Sequence, residues 1–391
     1  MKNHLLIFVL LIISTACSSS PVGESDNLNT TPLATTRQDS NLQTEEVASP
    51  SPNNTPTDTA MPSETSSSAP PTLPDYKDFI VFVSERDGDD EIYLLDPETN
   101  TTEKLTDNND TDSYPRWSHD KIRILYLSRI SPKTYLFVMN PDGSEKINLT
   151  PDSSRINQCE WSPTSYLIAC TRPREDLSGD NLIIVDSIDE SISIAYMSPG
   201  NIFDIAWSPD GNNIAMAPND YDGLRIYNIT NDTVNEYELG DGFPQKVAWS
   251  NNGNRLAYSF GPAIQGDFAT VHTVKADGRN PRRWVEIGGP EWVQAFSAGD
   301  EYVLLESARD GLFEIFVFDL ESKELIQLTD NEVDDTRSTH ANYSPVYSAD
   351  GSKIVFVSVR DGNSEIYMMN ADGTDQTNLT NDQARDWNPD W

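Results

Sequence analysis

The residues best suited to chemistry in this 391-residue chain are carboxylates gathered in short polar segments. Asp107, Asp110 and Asp112 form one group; Asp330, Glu332, Asp334 and Asp335 form a second; Asp382 and Asp386 form a third. Carboxylate and amide oxygens at such density are the donor set of a hard cation such as Ca²⁺. Turn formation also selects Asp and Asn, for local hydrogen-bonding reasons. No segment has the D-x-[DN]-x-[DN]-G spacing with a distal Glu that defines an EF-hand loop. Histidine is scarce: His4, His119, His272 and His340 are the full set, and none is paired at metal-ligand spacing. No two glycines lie four apart, so the nucleophile elbow G-x-S-x-G is absent, as are the P-loop and G-x-G-x-x-G.

A second constellation repeats. Ser84-Glu85-Arg86-Asp87-Gly88, Ser307-Ala308-Arg309-Asp310-Gly311 and Ser358-Val359-Arg360-Asp361-Gly362 are followed by Glu91, Glu314 and Glu365. Arg and Glu fall on opposite arms of one hairpin, so a cross-strand ion pair is expected. Recurrence in three places favours architecture over a single active centre.

The composition narrows the classes of function. Lys and Arg number 27 against 63 Asp and Glu, a formal net charge of −36. That balance argues against nucleic-acid binding, which runs on clustered cations, and against docking on an anionic membrane through a basic patch. The length exceeds the roughly 250–300 residues that one core usually serves, so a split chain or a repeat array is expected.

Residues 1–17 read as an export signal: Lys2, an apolar run from Leu5 to Ile13, then Ser14-Thr15-Ala16. The run is too short for a bilayer span, which needs about 20 residues. Cys17 after Ala16 resembles the lipobox of bacterial lipoproteins, with Ser14 where an aliphatic residue is usual. The resemblance implies a lipidated N-terminus at Cys17. Residues 18–75 hold 11 Ser, 10 Thr and 9 Pro without an aromatic residue, the composition of a disordered tether.

From Tyr76 to Trp391 the chain repeats. Trp207-Ser208-Pro209-Asp210-Gly211, Trp249-Ser250-Asn251-Asn252-Gly253 and Tyr347-Ser348-Ala349-Asp350-Gly351 each lead into an apolar strand. Weaker copies start at Trp117, Trp161 and Phe296, and Trp391 falls at a seventh anchor, a mean spacing of about 46 residues. Further strands such as Ile92-Tyr93-Leu94-Leu95-Asp96 follow, and a short third strand often closes on Leu-Thr, as at Leu105-Thr106 and Leu379-Thr380. These motifs resemble the WD-like repeat of the TolB family, found also in propellers of prolyl-oligopeptidase relatives. The resemblance implies an all-β, seven-bladed propeller of four-stranded antiparallel blades. Residues 386–391 would close the ring by completing the N-terminal blade, which removes the exposed edges of an open array.

In that frame the three acidic segments are neighbouring blade crossovers on one face, the face where propellers usually bind partners. They form the expected rim for a cation or a cationic partner. Cys159 and Cys170 stand opposite each other across the hairpin at Trp161–Tyr166, open either to a disulfide or to buried thiols. The expected function is a lipid-anchored, non-catalytic binding or scaffold module in the cell envelope, monomeric, with a protein or envelope-polymer partner and no nucleic acid. The alternatives are an enzyme similar to oligogalacturonate lyases, whose family uses metal-binding channel residues, or a glycan binder using Tyr221, Trp292 or Trp387.

Overall fold

The computed structural model describes residues 75–391 except 153–154, 241, 262–269, 285–290, 310 and 331–340. The described strands form seven four-stranded antiparallel sheets arranged as the blades of a ring. We number the blades 1 to 7 in chain order and name their strands inner, second, third and outer. Blade 1 is composite: Asp386–Asp390 is its inner strand, beside Ile80–Ser84, Glu91–Asp96 and Thr101–Lys104. The C-terminal strand pairs Trp387 with Val83 and Asp386 with Ser84, so the two ends of the ring are hydrogen-bonded together. No helix among the described residues is long and apolar enough to cross a membrane.

The hydrophobic core is divided into seven clusters, one at each blade interface. Second strands are therefore covered on both faces. All five residues of Ile80–Ser84 are buried, and they read as a continuous apolar run rather than an alternating one. The seventh cluster joins Val355, Val357 and Ile366 of blade 7 to Ile80, Phe82 and Leu95 of blade 1. Each residue there is fully buried, so closure buries core and does more than cap an edge.

The aromatic-Ser anchors are explained by two sets of hydrogen bonds. The hydroxyl of Ser208 accepts from the Asn213 N–H at 2.9 Å and donates to Asp210, closing the inner-to-second turn. Ser118, Ser250, Ser297 and Ser348 accept from the N–H five residues on in the same way. Gly211 sits within that turn at φ +70°, a conformation that costs glycine nothing. The anchor indoles then tie blade to blade. Trp161, Trp207 and Trp249 each donate at 3.1 Å to the carbonyl just before the preceding anchor: Arg116, Glu160 and Ala206.

The Ser-x-Arg-Asp-Gly motif departs from the expected Arg–Glu hairpin pair. Arg86 instead pairs with Asp386 at 3.0 Å, Arg309 with Glu291, and Arg360 donates to Asn342 at 3.1 Å. Each partner begins the inner strand of the same blade. The guanidinium lies over aromatic rings of that blade, Tyr93, Phe316 and Tyr367, which fixes its direction away from the hairpin Glu. Glu91, Glu314 and Glu365 accept instead from Thr106, Thr329 and Thr380 of the Leu-Thr segments. The motif is architectural, as expected, through different partners.

Candidate functional site: the lumen

The inner strands line the central channel, and six of the seven carry a register shift against their second strands. An inner strand is a sheet edge, so the N–H groups on its lumen side have no ladder partner. Carboxylates from the preceding blade supply one. Asp390 accepts from Trp117 N–H at 2.8 Å, Asp204 from Val247 at 2.9 Å, and Glu306 from Ser344 at 2.6 Å. Around these lie Arg116, 3.8 Å from Glu160, and Lys246, 3.3 Å from Asp204. Gln294 donates to Glu306 at 3.0 Å. Four carboxylates and two cations from six blades thus gather around the lumen, five of them on inner strands and Glu306 behind them on the buried second strand of blade 6.

Burial sets the protonation there. Burial pushes the Glu306 carboxyl up to about 7, against the opposing pull of the Ser344 N–H and Lys246. Burial also pushes Glu160 up to about 7; Asp390 and Asp204 add to the shift, while Arg116 and Lys246 oppose it. Glu160 keeps 41% of its side chain open to lumen water, whereas Glu306 is only 5% exposed. The same shift therefore carries less free energy at Glu160. Asp204 is raised by burial, and Lys246 is raised chiefly by Asp204. Carboxyls displaced in this way around one channel make it a candidate ligand site, although burial also raises the architectural, Arg309-paired Glu291 to about 7.

The expected acidic rim does not assemble among the described residues. Asp112 and Asp386 are fully buried. Asp112 accepts from Asn108 at 2.8 Å, and Asp386 takes Arg86. Asp107 points to solvent and pairs with Lys104 at 2.6 Å. Asp382 caps the Ala384 N–H at 2.8 Å, Asp110 is half-buried, and Asp330 is exposed. Glu332, Asp334, Asp335, His340 and Cys17 lie outside the described residues. No three His, Cys, Asp or Glu side chains converge to hold a metal among the described residues.

Cys159 and Cys170 face each other with Cα atoms 4.2 Å apart and their sulfurs bonded. That Cα distance is near the close spacing of a non-hydrogen-bonded pair, tighter than an average over both pair types would give. His272 stacks against Tyr258 at 5.2 Å and Phe260 at 5.4 Å inside blade 5, bonded to Thr270. Burial, with Arg283 adding, pushes its pKa down to about 4. His119 is exposed beside Tyr166 on the turn face. The three candidate sugar-stacking aromatics are engaged in packing: Tyr221 under Arg225, Trp292 on Phe313 at 4.8 Å, and Trp387 under Arg385.

Sequence reasoning missed the lumen residues, although a signal was present. Arg116, Glu160 and Asp390 each immediately precede an anchor, and Asp204 and Lys246 lie three before one. A charge embedded in an otherwise apolar inner strand marks the lumen wall.

Comparison with known proteins agrees with this architecture. Residues 246–391 match the TolB beta propeller domain family. The fold is similar to TolB from Acinetobacter baumannii, with TM-score 0.53 and 16% identity over 81% of this chain and 67% of that one. It is similar also to an oligogalacturonate lyase from Vibrio parahaemolyticus, with TM-score 0.59 and 15% identity over 74% and 86%. An uncharacterized protein of Agrobacterium fabrum is 25% identical over 193 residues, 47% of this chain. The match spans 59% of that curated relative's length.

Proposed function

Because the chain is a TolB-like β-propeller, we propose that it is an exported, non-catalytic binding module that holds a protein partner over its channel. In this reading Cys17 carries a lipid and residues 18–75 act as the tether, which leaves the propeller free to reach partners in the envelope. The observation that carries the reading is the lumen, with four carboxylates against two cations and two of the carboxyls raised to about 7. A channel with a surplus of one sign focuses its field on an approaching group of the opposite sign. The complementary partner presents a lysine or arginine to the channel mouth.

Such a partner would discharge the lumen in a defined way. A cation placed beside Glu160 or Glu306 favours the ionised carboxylate, so binding releases protons near neutral pH. Affinity should rise between pH 6 and pH 8. A lyase-like reading has less support. The described histidines are apart, with His272 packed inside blade 5 and His119 on the turn face.

The test is affinity capture from the native envelope with the full chain, comparing wild type with a Glu160→Gln, Glu306→Gln double variant. A protein recovered by wild type, more strongly at pH 8 than pH 6, and lost by the variant is the expected result. Recovery of no protein, together with turnover of an acidic oligosaccharide, overturns the reading.

A further inference from the structure

Charge is not spread evenly over the ring. Residues 76–391 carry a net charge of −30, yet blade 5, residues 243–284, holds six Lys and Arg against two Asp, a net of +4. Lys246 is committed to Asp204 in the lumen, and Arg279 to Asp277. Arg255, Lys275, Arg282 and Arg283 make no ion pair among the described residues, and all four are exposed. Arg255 and Lys275 are direct cross-strand partners. Opposed like charges destabilise a sheet, and neither member of this pair has an ion-pair partner among the described residues, although Lys275 is near enough to help hold the Asp277 carboxyl low.

The pair lines a cleft of about 670 Å³ on the anchor-turn face, between blades 5 and 6. Asn252, Asn254, Asp277 and Asp300 complete its polar wall. Asp277 takes three bonds from Arg279, and Asp300 takes three from Asn251 and Asn252. An ionised carboxylate accepts about four, so each keeps room for one more donor. A smaller cleft of about 330 Å³, reaching Tyr237 and Trp249, shares Asn252 and Asn254 with the first. Both volumes lie within the common range for small-ligand sites, roughly 300–1,000 Å³.

We propose that this cleft binds a carboxylated saccharide. Arg255 and Lys275 take the carboxylate, while Asn252, Asn254, Asp277 and Asp300 take ring hydroxyls. Three features select that class. The unpaired cations call for an anion. A long polyanion or an anionic membrane would extend well beyond the cleft and meet the acidic remainder of the ring, whereas a short oligosaccharide ends near the cleft. An acidic peptide would set its side chains against Asp277 and Asp300, whereas sugar hydroxyls donate to them. The site is separate from the lumen and does not depend on the partner proposed there.

Calorimetric titration of the full chain tests this with trimannuronate as probe and maltotriose, hexaglutamate and inorganic phosphate as comparisons. Trimannuronate should bind alone among the four, and an Arg255→Gln, Lys275→Gln double variant should weaken it at least tenfold. Without ligand, Arg255→Gln should raise the melting midpoint, because it relieves the opposed charges. No trimannuronate binding, binding unchanged in the double variant, or equal or tighter binding of any comparison ligand overturns the proposal. So does a lowered midpoint in Arg255→Gln.

Discussion

The crossovers and the lumen are both rich in carboxylates, and they use them oppositely. At the crossovers each buried acid has a dedicated partner: Asp386 has Arg86, and Glu91 has the Thr106 hydroxyl and the Asn108 N–H. In the lumen four carboxylates outnumber the two cations, Arg116 and Lys246, and burial raises Glu160 and Glu306 to about 7; burial also raises Glu91 and Asp386 at the crossovers. Density of acids along the chain therefore says little about availability. The regions differ in how many counter-charges the fold supplies: the lumen places two cations among four carboxylates, Arg116 at Glu160 and Lys246 at Asp204.

Removing a buried crossover acid should have the largest effect. Asp386→Ala deletes the carboxylate that receives both Arg86 contacts, at 3.0 and 3.1 Å, and leaves a nearly buried guanidinium unpaired at the seam of the ring. Breaking a buried pair from one side costs about 3–5 kcal/mol. Chemical denaturation should show a loss of that size. A loss under 1 kcal/mol would mean the seam does not depend on the pair.

A lumen acid should behave in the opposite sense. The native Glu306 carboxyl titrates at about 7, against 4.5 ordinarily, so the folded state holds a proton that the unfolded state has released between those values. Its contribution to stability is greatest below pH 4.5 and falls as pH rises towards 7. At one pKa unit per 1.36 kcal/mol, Glu306→Gln should remove a decline of about 2–3 kcal/mol between pH 5 and pH 8. Denaturation midpoints at the two pH values measure it, and an unchanged slope refutes it. Glu160→Gln should remove a smaller part of the decline, because its 41% exposure lets lumen water stabilise the charge.

The propeller was legible in the sequence because its signals are local. The Ser208 hydroxyl needs only the N–H five residues on, and Thr106 needs only Glu91 and Ile92 across one strand pair. The partners of Arg86 were not legible, because Asp386 lies 300 residues away and meets it only once the ring has closed. The lumen was hidden for the same reason. Glu160 feels Asp390, Asp204 and Lys246 from three other blades, so its environment exists only in the assembled ring. The basic character of blade 5 was countable in the sequence, but the net charge of −36 concealed it. Asp107 and Asp386 look alike as crossover aspartates, yet one is in solvent and the other fully buried.

Asp107 gives the smallest expected effect and the cleanest control for the crossover half of the comparison. Its side chain is 87% exposed, and its one ion pair is with Lys104, which also reaches Asp87 at 3.1 Å. Deleting one of three carboxylates around a partly exposed lysine leaves the cation paired with Asp87 and Glu91, and exposed pairs are worth about 0–1 kcal/mol. Asp107→Asn should therefore shift stability by less than about 0.5 kcal/mol. Calcium sets the limit of that statement. If these crossovers serve only the fold, the melting midpoint should be the same in millimolar calcium and in chelator, for wild type and Asp107→Asn alike. A rise of several degrees with calcium in wild type, abolished in Asp107→Asn, would place a metal on this rim, and the acids of the crossovers would then resemble those of the lumen after all.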